Sequence, residues 1–141
     1  HKVSIEGAKV LDLFSGKGSI TYEFASRGAA TIMAIESYYP HYAFIKRTAN
    51  QLGFDNITVY KTDAFLACRK LENGGFDIIF ADPPYNLPAI QEIPETIFKH
   101  QLLAKEVILI IEHPATVDFS TFPLFSEHRH YGSGNFSIFS P

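Results

Sequence analysis

The residues best equipped for chemistry in this sequence are Asp82-Pro83-Pro84-Tyr85, directly after the apolar run Phe76-Asp77-Ile78-Ile79-Phe80-Ala81. A buried strand that ends in this tetrapeptide sets a carboxylate, a stiffened backbone and an aromatic face at one point. Proline fixes φ and lacks an N–H, so the carbonyls around it stay free as acceptors. An exocyclic amine on a flat base needs this set, acceptors for its hydrogens and a ring to stack on. Taken alone, a Pro-Pro dipeptide fits an ordinary turn equally well.

A second candidate lies at the other end of the chain. Val10-Leu11-Asp12-Leu13-Phe14 reads as a short buried strand that opens into Ser15-Gly16-Lys17-Gly18-Ser19. A helical pattern follows, with Ile20 and Phe24 one turn apart and Gly28 as its stop. Glycines let backbone approach a ligand closely, and the helix start offers free N–H groups. A triphosphate-binding loop would need glycine where Leu11 stands and Ser or Thr where Gly18 follows Lys17. A dinucleotide fingerprint would need a third glycine where Thr21 stands, which weakens that reading. Glu36 closes the apolar stretch Thr31-Ile32-Met33-Ala34-Ile35, and a carboxylate at a strand tip can accept both hydroxyls of a ribose. Asp63 follows Ile57-Thr58-Val59-Tyr60; it suits an adenine amino group, and equally the N-cap of a helix over Ala64–Leu71.

Asp12-x-Phe14-x-Gly16-x-Gly18, Glu36, Asp63 and Asp82-Pro83-Pro84-Tyr85, in this order, resemble the class I S-adenosylmethionine-dependent methyltransferases. Within that superfamily the chain most resembles the RsmD type, the bacterial 16S rRNA guanine-N2 methyltransferases. Arg129-His130-Tyr131-Gly132 followed by Phe136-Ser137-Ile138-Phe139 is similar to that family's closing hairpin. The resemblance implies S-adenosylmethionine as cofactor, held by Asp12, Phe14, Gly16, Gly18, Glu36, Ser37, Asp63 and Ala64. It implies catalysis by Asp82, Pro83, Pro84 and Tyr85 on 16S rRNA, within the small ribosomal subunit or its precursor, in the cytoplasm. Such enzymes carry a basic N-terminal segment before the first strand. Here the first strand begins soon after His1 and no Met leads, so a longer native protein is expected. Asp-Pro-Pro-Tyr is shared with N6-adenine enzymes, which keeps an adenine methyltransferase acting on DNA or RNA as the alternative. A catalytically silent relative serving as a partner subunit is the alternative from another class.

Composition fits one globular domain over residues 1–141, with 46% hydrophobic and 19% charged residues. A chain of this length buries roughly two-thirds of its unfolded surface. The net charge of −3 and pI of about 6.1 provide no domain-wide basic footprint for nucleic acid. Lys46-Arg47 and Arg69-Lys70 are small basic pairs of the kind usually found on solvated helix faces. The single cysteine, Cys68, excludes an internal disulfide and reads as a core filler. Val107–Ile111 is far too short to cross a bilayer, and no signal-peptide pattern opens the chain. The histidines lack partners of metal-binding spacing, so no metal is expected.

Strands and helices alternate throughout. Strands are expected over Ala8–Phe14, Thr31–Glu36, Ile57–Tyr60, Phe76–Ala81 and Glu106–Glu112, with a hairpin of Leu124–His130 and Asn135–Phe139 around Gly132-Ser133-Gly134. Helices are expected over Ser19–Arg27, Pro40–Leu52 and Ala64–Leu71, and within Leu87–Leu103 with Pro94 in its first turn. The helix from Pro40 shows His41, Phe44, Ile45, Thr48 and Leu52 on one stripe. The pattern predicts an α/β, Rossmann-like, doubly wound and mostly parallel seven-stranded sheet with a C-terminal antiparallel hairpin. Asp12, Glu36, Asp63 and Asp82 then all fall at carboxyl ends of strands, where such sheets bind ligands.

Overall fold

The computed structural model describes residues 4–140. Seven strands, β1 (Lys9–Leu13), β2 (Thr31–Glu36), β3 (Ile57–Lys61), β4 (Phe76–Ala81), β5 (Leu103–His113), β6 (Phe125–Tyr131) and β7 (Gly134–Phe139), form one sheet. Its order is β3-β2-β1-β4-β5-β7-β6. Pairing is parallel from β3 to β5, and β7 runs antiparallel to both β5 and β6. The helices are α1 (Ser19–Ser26), α2 (Tyr39–Gln51), α3 (Ala64–Lys70) and α4 (Ile93–Lys99), with a 3-10 turn over Ile90–Glu92. The fold is thus the α/β, Rossmann-like, doubly wound sheet that the alternation predicts.

Alternation along each central strand feeds two cores, because successive side chains leave a strand on opposite faces. Val10, Ile32, Ile78 and Phe80 pack with Phe24 and Ala25 of α1 on one face. Leu11, Ile79 and Leu109 pack with Ala67 and Cys68 of α3 and with Ile93 and Ile97 of α4 on the other. Glycines end the helices as the sequence implies. Gly28 follows α1 at φ 89° and Gly53 follows α2 at φ 74°, where a side chain would be strained. Pro94 sits in the first turn of α4, where its missing N–H costs nothing.

Element ends shift by a residue or two from the sequence expectation, and β5 is longer, starting at Leu103 and ending at His113. The stripe expected on α2 is only partly right. Ile45 and Ala49 are the buried residues, whereas Phe44 and Leu52 are 38% and 59% exposed. α2 packs on β2 and β3, and β3 is the edge of the sheet. An edge covers a narrower face of a helix than a central strand pair does, so the flanks of the stripe stay in water. Beyond β5, the chain from Pro114 to Leu124 drops Phe119 into the core at 1% exposure. Buried His113 is held there by Ser137 Oγ at 2.7 Å from its Nε2 and by the Pro114 carbonyl at 2.9 Å from its Nδ1.

Candidate active site

The strand order reverses direction between β1 and β4, so the connections leaving their carboxyl ends diverge and open a crevice. A cleft of about 480 Å³ lies there, within the range of small-molecule sites. Phe14 and Gly16 after β1, Glu36 and Ser37 after β2, and Asp63 and Ala64 after β3 line it. Asp82, Pro83, Pro84 and Tyr85 after β4 complete its wall. Every residue expected at the site therefore lines one cleft, apart from Asp12 and Gly18.

Those two lie outside the lining. Asp12 is 1% exposed; Thr21 Oγ1 donates to its Oδ2 at 2.5 Å, and Ser15 Oγ donates to its carbonyl at 2.8 Å. Burial pushes the Asp12 carboxyl up to about 7, against the pull of the Thr21 and Ser15 hydrogen bonds and with help from the Asp82 and Glu36 charges. Gly18 has φ 91°, and a Cβ there would lie 2.7 Å from the Tyr22 ring. Its glycine identity therefore serves the loop's close packing on α1. Phe14 also holds a left-handed φ of 59°, rare for an aromatic residue, with its ring edge-on to Phe65. Backbone strain of this kind gathers at functional sites.

Glu36 ties two walls of the cleft together. Its Oε1 accepts from the Gly16 N–H and its Oε2 from the Tyr38 N–H, both at 2.8 Å. Each carboxylate oxygen has a second lone pair, so the residue retains acceptor capacity toward the cleft. Asp63 caps α3, accepting from the Leu66 N–H at 3.0 Å, which is the cap role foreseen beside the ligand role. Asp82 reaches solvent at the mouth, yet the surrounding walls displace enough water to raise its carboxyl above the usual range. Pro83 is buried beneath it, and Tyr85 stands 57% exposed on the lip.

Sequence reasoning missed Tyr38, His41 and Thr62, which also line the cleft. The first two were within reach, because residues beside and one turn into a helix that begins just after a strand tip must face that tip. His41 Nδ1 lies 4.0 Å from Glu36 Oε2, and its ring meets Tyr38 edge-on. Glu112 was missed as well. It is the penultimate residue of β5, the strand beside β4, where burial and the Asp82 charge raise its carboxyl. Cys68 is buried with its thiol pushed up to about 12 by burial, which leaves it inert. Among the described residues no group of three or more His, Cys, Asp or Glu is placed to hold a metal. No helix among them is long and apolar enough to cross a membrane.

The chain as a whole has relatives among known proteins. The family described as conserved hypothetical protein 95 matches residues 1–140. Ribosomal RNA small subunit methyltransferase D of Buchnera aphidicola (subspecies Acyrthosiphon pisum) is 28% identical over 125 residues, covering 89% of this chain and 58% of that protein. Its namesake from the subspecies Baizongia pistaciae is 28% identical over 114 residues, covering 81% of this chain and 58% of that protein. The chain thus spans less than two-thirds of the length of these relatives. A solved structure of a conserved hypothetical protein from Streptococcus pyogenes superposes with a TM-score of 0.83 at 27% identity, covering 96% of this chain and 86% of that one.

Proposed function

Since the chain belongs to the conserved hypothetical protein 95 family, we propose that it is an S-adenosylmethionine-dependent methyltransferase that modifies the N2 amine of a guanine in 16S rRNA. The cytoplasm, and the small ribosomal subunit or its precursor, belong to the same proposal. The observation that carries it is the placement of Asp82, Pro83, Pro84 and Tyr85 on the lip of a cleft whose other walls hold Gly16, Glu36 and Asp63. The names of the two Buchnera relatives support ribosomal RNA as the substrate.

The residues suit the cofactor. Glu36 and Asp63 give the cleft an acidic wall, complementary to ribose hydroxyls, an adenine amine and a positive sulfonium. When bound, the cofactor supplies an electrophilic methyl on sulfur. The chain's own part is to place an amine in line with that methyl. The amine of a guanine is a poor nucleophile, because its lone pair is delocalised into the ring. Asp82 and the Pro83 carbonyl accept its two hydrogens and turn the lone pair outward. The amine so presented would take up the methyl that the bound cofactor gives, and its extra proton would leave to water at the open mouth. Alignment of this kind is worth up to roughly 7–11 kcal/mol. Asp82 adds stabilisation of the positive charge that develops on nitrogen. Tyr85 offers a ring on which an unstacked base rests, typically for about 1–3 kcal/mol.

The test combines calorimetry with nucleoside mass spectrometry of ribosomal RNA from cells with and without the gene. The expected result is tighter binding of S-adenosylmethionine than of nicotinamide dinucleotides, and loss of one N2-methylguanosine from small-subunit RNA. Asp82→Ala is expected to keep cofactor affinity within a few-fold while turnover falls by about two orders of magnitude or more. N6-methyladenosine lost in place of methylguanosine would move the proposal to the adenine reading. Normal turnover in the Asp82 variant would overturn the mechanism.

A further inference from the structure

The proposed reaction leaves α2 without an assignment, although it carries the densest group of exposed aromatics beside the cleft. Tyr38 and His41 belong to the cleft wall. One step outside, Tyr39 is 60% exposed and its ring lies 6.0 Å from that of half-buried Tyr42. Lys46 sets its ammonium 5.9 Å from the Tyr42 ring. Residues 39, 42 and 46 are spaced three and four apart and share one flank of the helix. No acid occurs among the thirteen residues of α2, in a chain whose net charge is −3. A protein core partner is a poor explanation for Tyr39, because the buried side of α2 is already satisfied by Ile45 and Ala49.

We infer that the Tyr39–Tyr42–Lys46 flank of α2 is a stacking platform for unpaired RNA bases next to the one being methylated. The inference rests on the proposed RNA methyltransferase reading and adds to it the place where neighbouring nucleotides are held. Aromatic rings accept any base face, and a cation beside them meets the phosphate that links two bases. The acidic balance of the chain makes general phosphate attraction weak, so affinity on this flank comes mainly from stacking. Single strands are then preferred to duplexes, whose bases are already stacked. The salt dependence is shallow, with a slope on the order of 1 to 2, as few phosphates are neutralised.

Fluorescence anisotropy of the chain with a short labelled RNA of mixed sequence, single-stranded or as a hairpin duplex, tests this at two salt concentrations. Tyr39→Ala is expected to weaken single-strand binding about tenfold, the usual range for one lost stack being several-fold to a hundredfold. Tyr39→Phe, which keeps the ring, is expected to bind as the unaltered chain does. Lys46→Gln should weaken binding less and flatten the salt slope. Equal binding by Tyr39→Ala and the unaltered chain, or equal affinity for duplex and single strand, would overturn the platform. Absence of single-strand binding would do so too. S-adenosylmethionine calorimetry on the same samples separates the two levels. Retained cofactor binding with an unchanged Tyr39→Ala defeats only the platform, whereas no cofactor binding by the unaltered chain defeats the reading beneath it.

Discussion

Burial raises the Asp12 carboxyl to about 7, so the folded chain keeps a proton there that the unfolded chain releases near pH 4. Between those values the native state binds more protons than the unfolded one, and stability falls as pH rises. The effect is on the order of a few kcal/mol for a shift of this size. Asp12→Asn keeps the shape without the titration, so relative to the unaltered chain its urea midpoint is expected to gain between pH 5 and pH 8. Equal pH slopes in the two proteins would show that Asp12 is ionised in the folded state. Residue identity and order were enough to find the carboxylates, but not to divide their work. Glu36, Asp63 and Asp82 line the cleft, and Asp12 lies under it. That difference arises from Thr21, nine residues on, whose hydroxyl turns Asp12 inward. A motif gives positions along the chain, and the direction of a side chain depends on partners elsewhere in it.

At the scale of elements, a buried side-chain contact adds to the backbone pairing of β5 with β7. His113 Nε2 meets Ser137 Oγ across the pair, and both residues are 1% exposed. Burial lowers the His113 pKa, so stability contributed by its neutral form is present above the unfolded value and is lost as pH falls below about 6.5. Ser137→Ala leaves the buried ring nitrogen without that partner and is expected to destabilise by about 1–3 kcal/mol. Thermal melts at pH 8 check this; an unchanged melting temperature would mean the pair contributes nothing net. The strands themselves were legible, since short apolar runs bounded by Gly, Asn and Asp leave few alternatives. Helix faces were less so. Periodicity placed Phe44 and Leu52 on the stripe of α2, but the position of β3 at the sheet edge decides how wide a stripe is covered. Sheet order is a property of the whole fold and leaves no mark on thirteen helical residues.

For the molecule as a whole, a cleft at the switch point links ligand binding to stability, because only the folded chain assembles its walls from four strand ends. At a hundred times its dissociation constant, a cofactor that binds only the native state adds about 2.7 kcal/mol. Saturating S-adenosylmethionine is therefore expected to raise the melting temperature by several degrees, and a nicotinamide dinucleotide to leave it unchanged, in a scanning melt. The reverse pattern would reassign the cleft. The sheet order also sets a timetable for synthesis. β7, made after β6, is inserted between β5 and β6, and its Phe139 reaches 0% exposure in the core. While the nascent chain waits for that strand, β5 has one open edge of unpaired N–H and C=O groups, and the apolar residues meant to meet Phe139 lack their partner. At typical elongation rates the wait from His113 to Phe139 lasts on the order of seconds. During that interval the growing polypeptide is most exposed to misassembly with its neighbours, and a chaperone that masks a strand edge would act there.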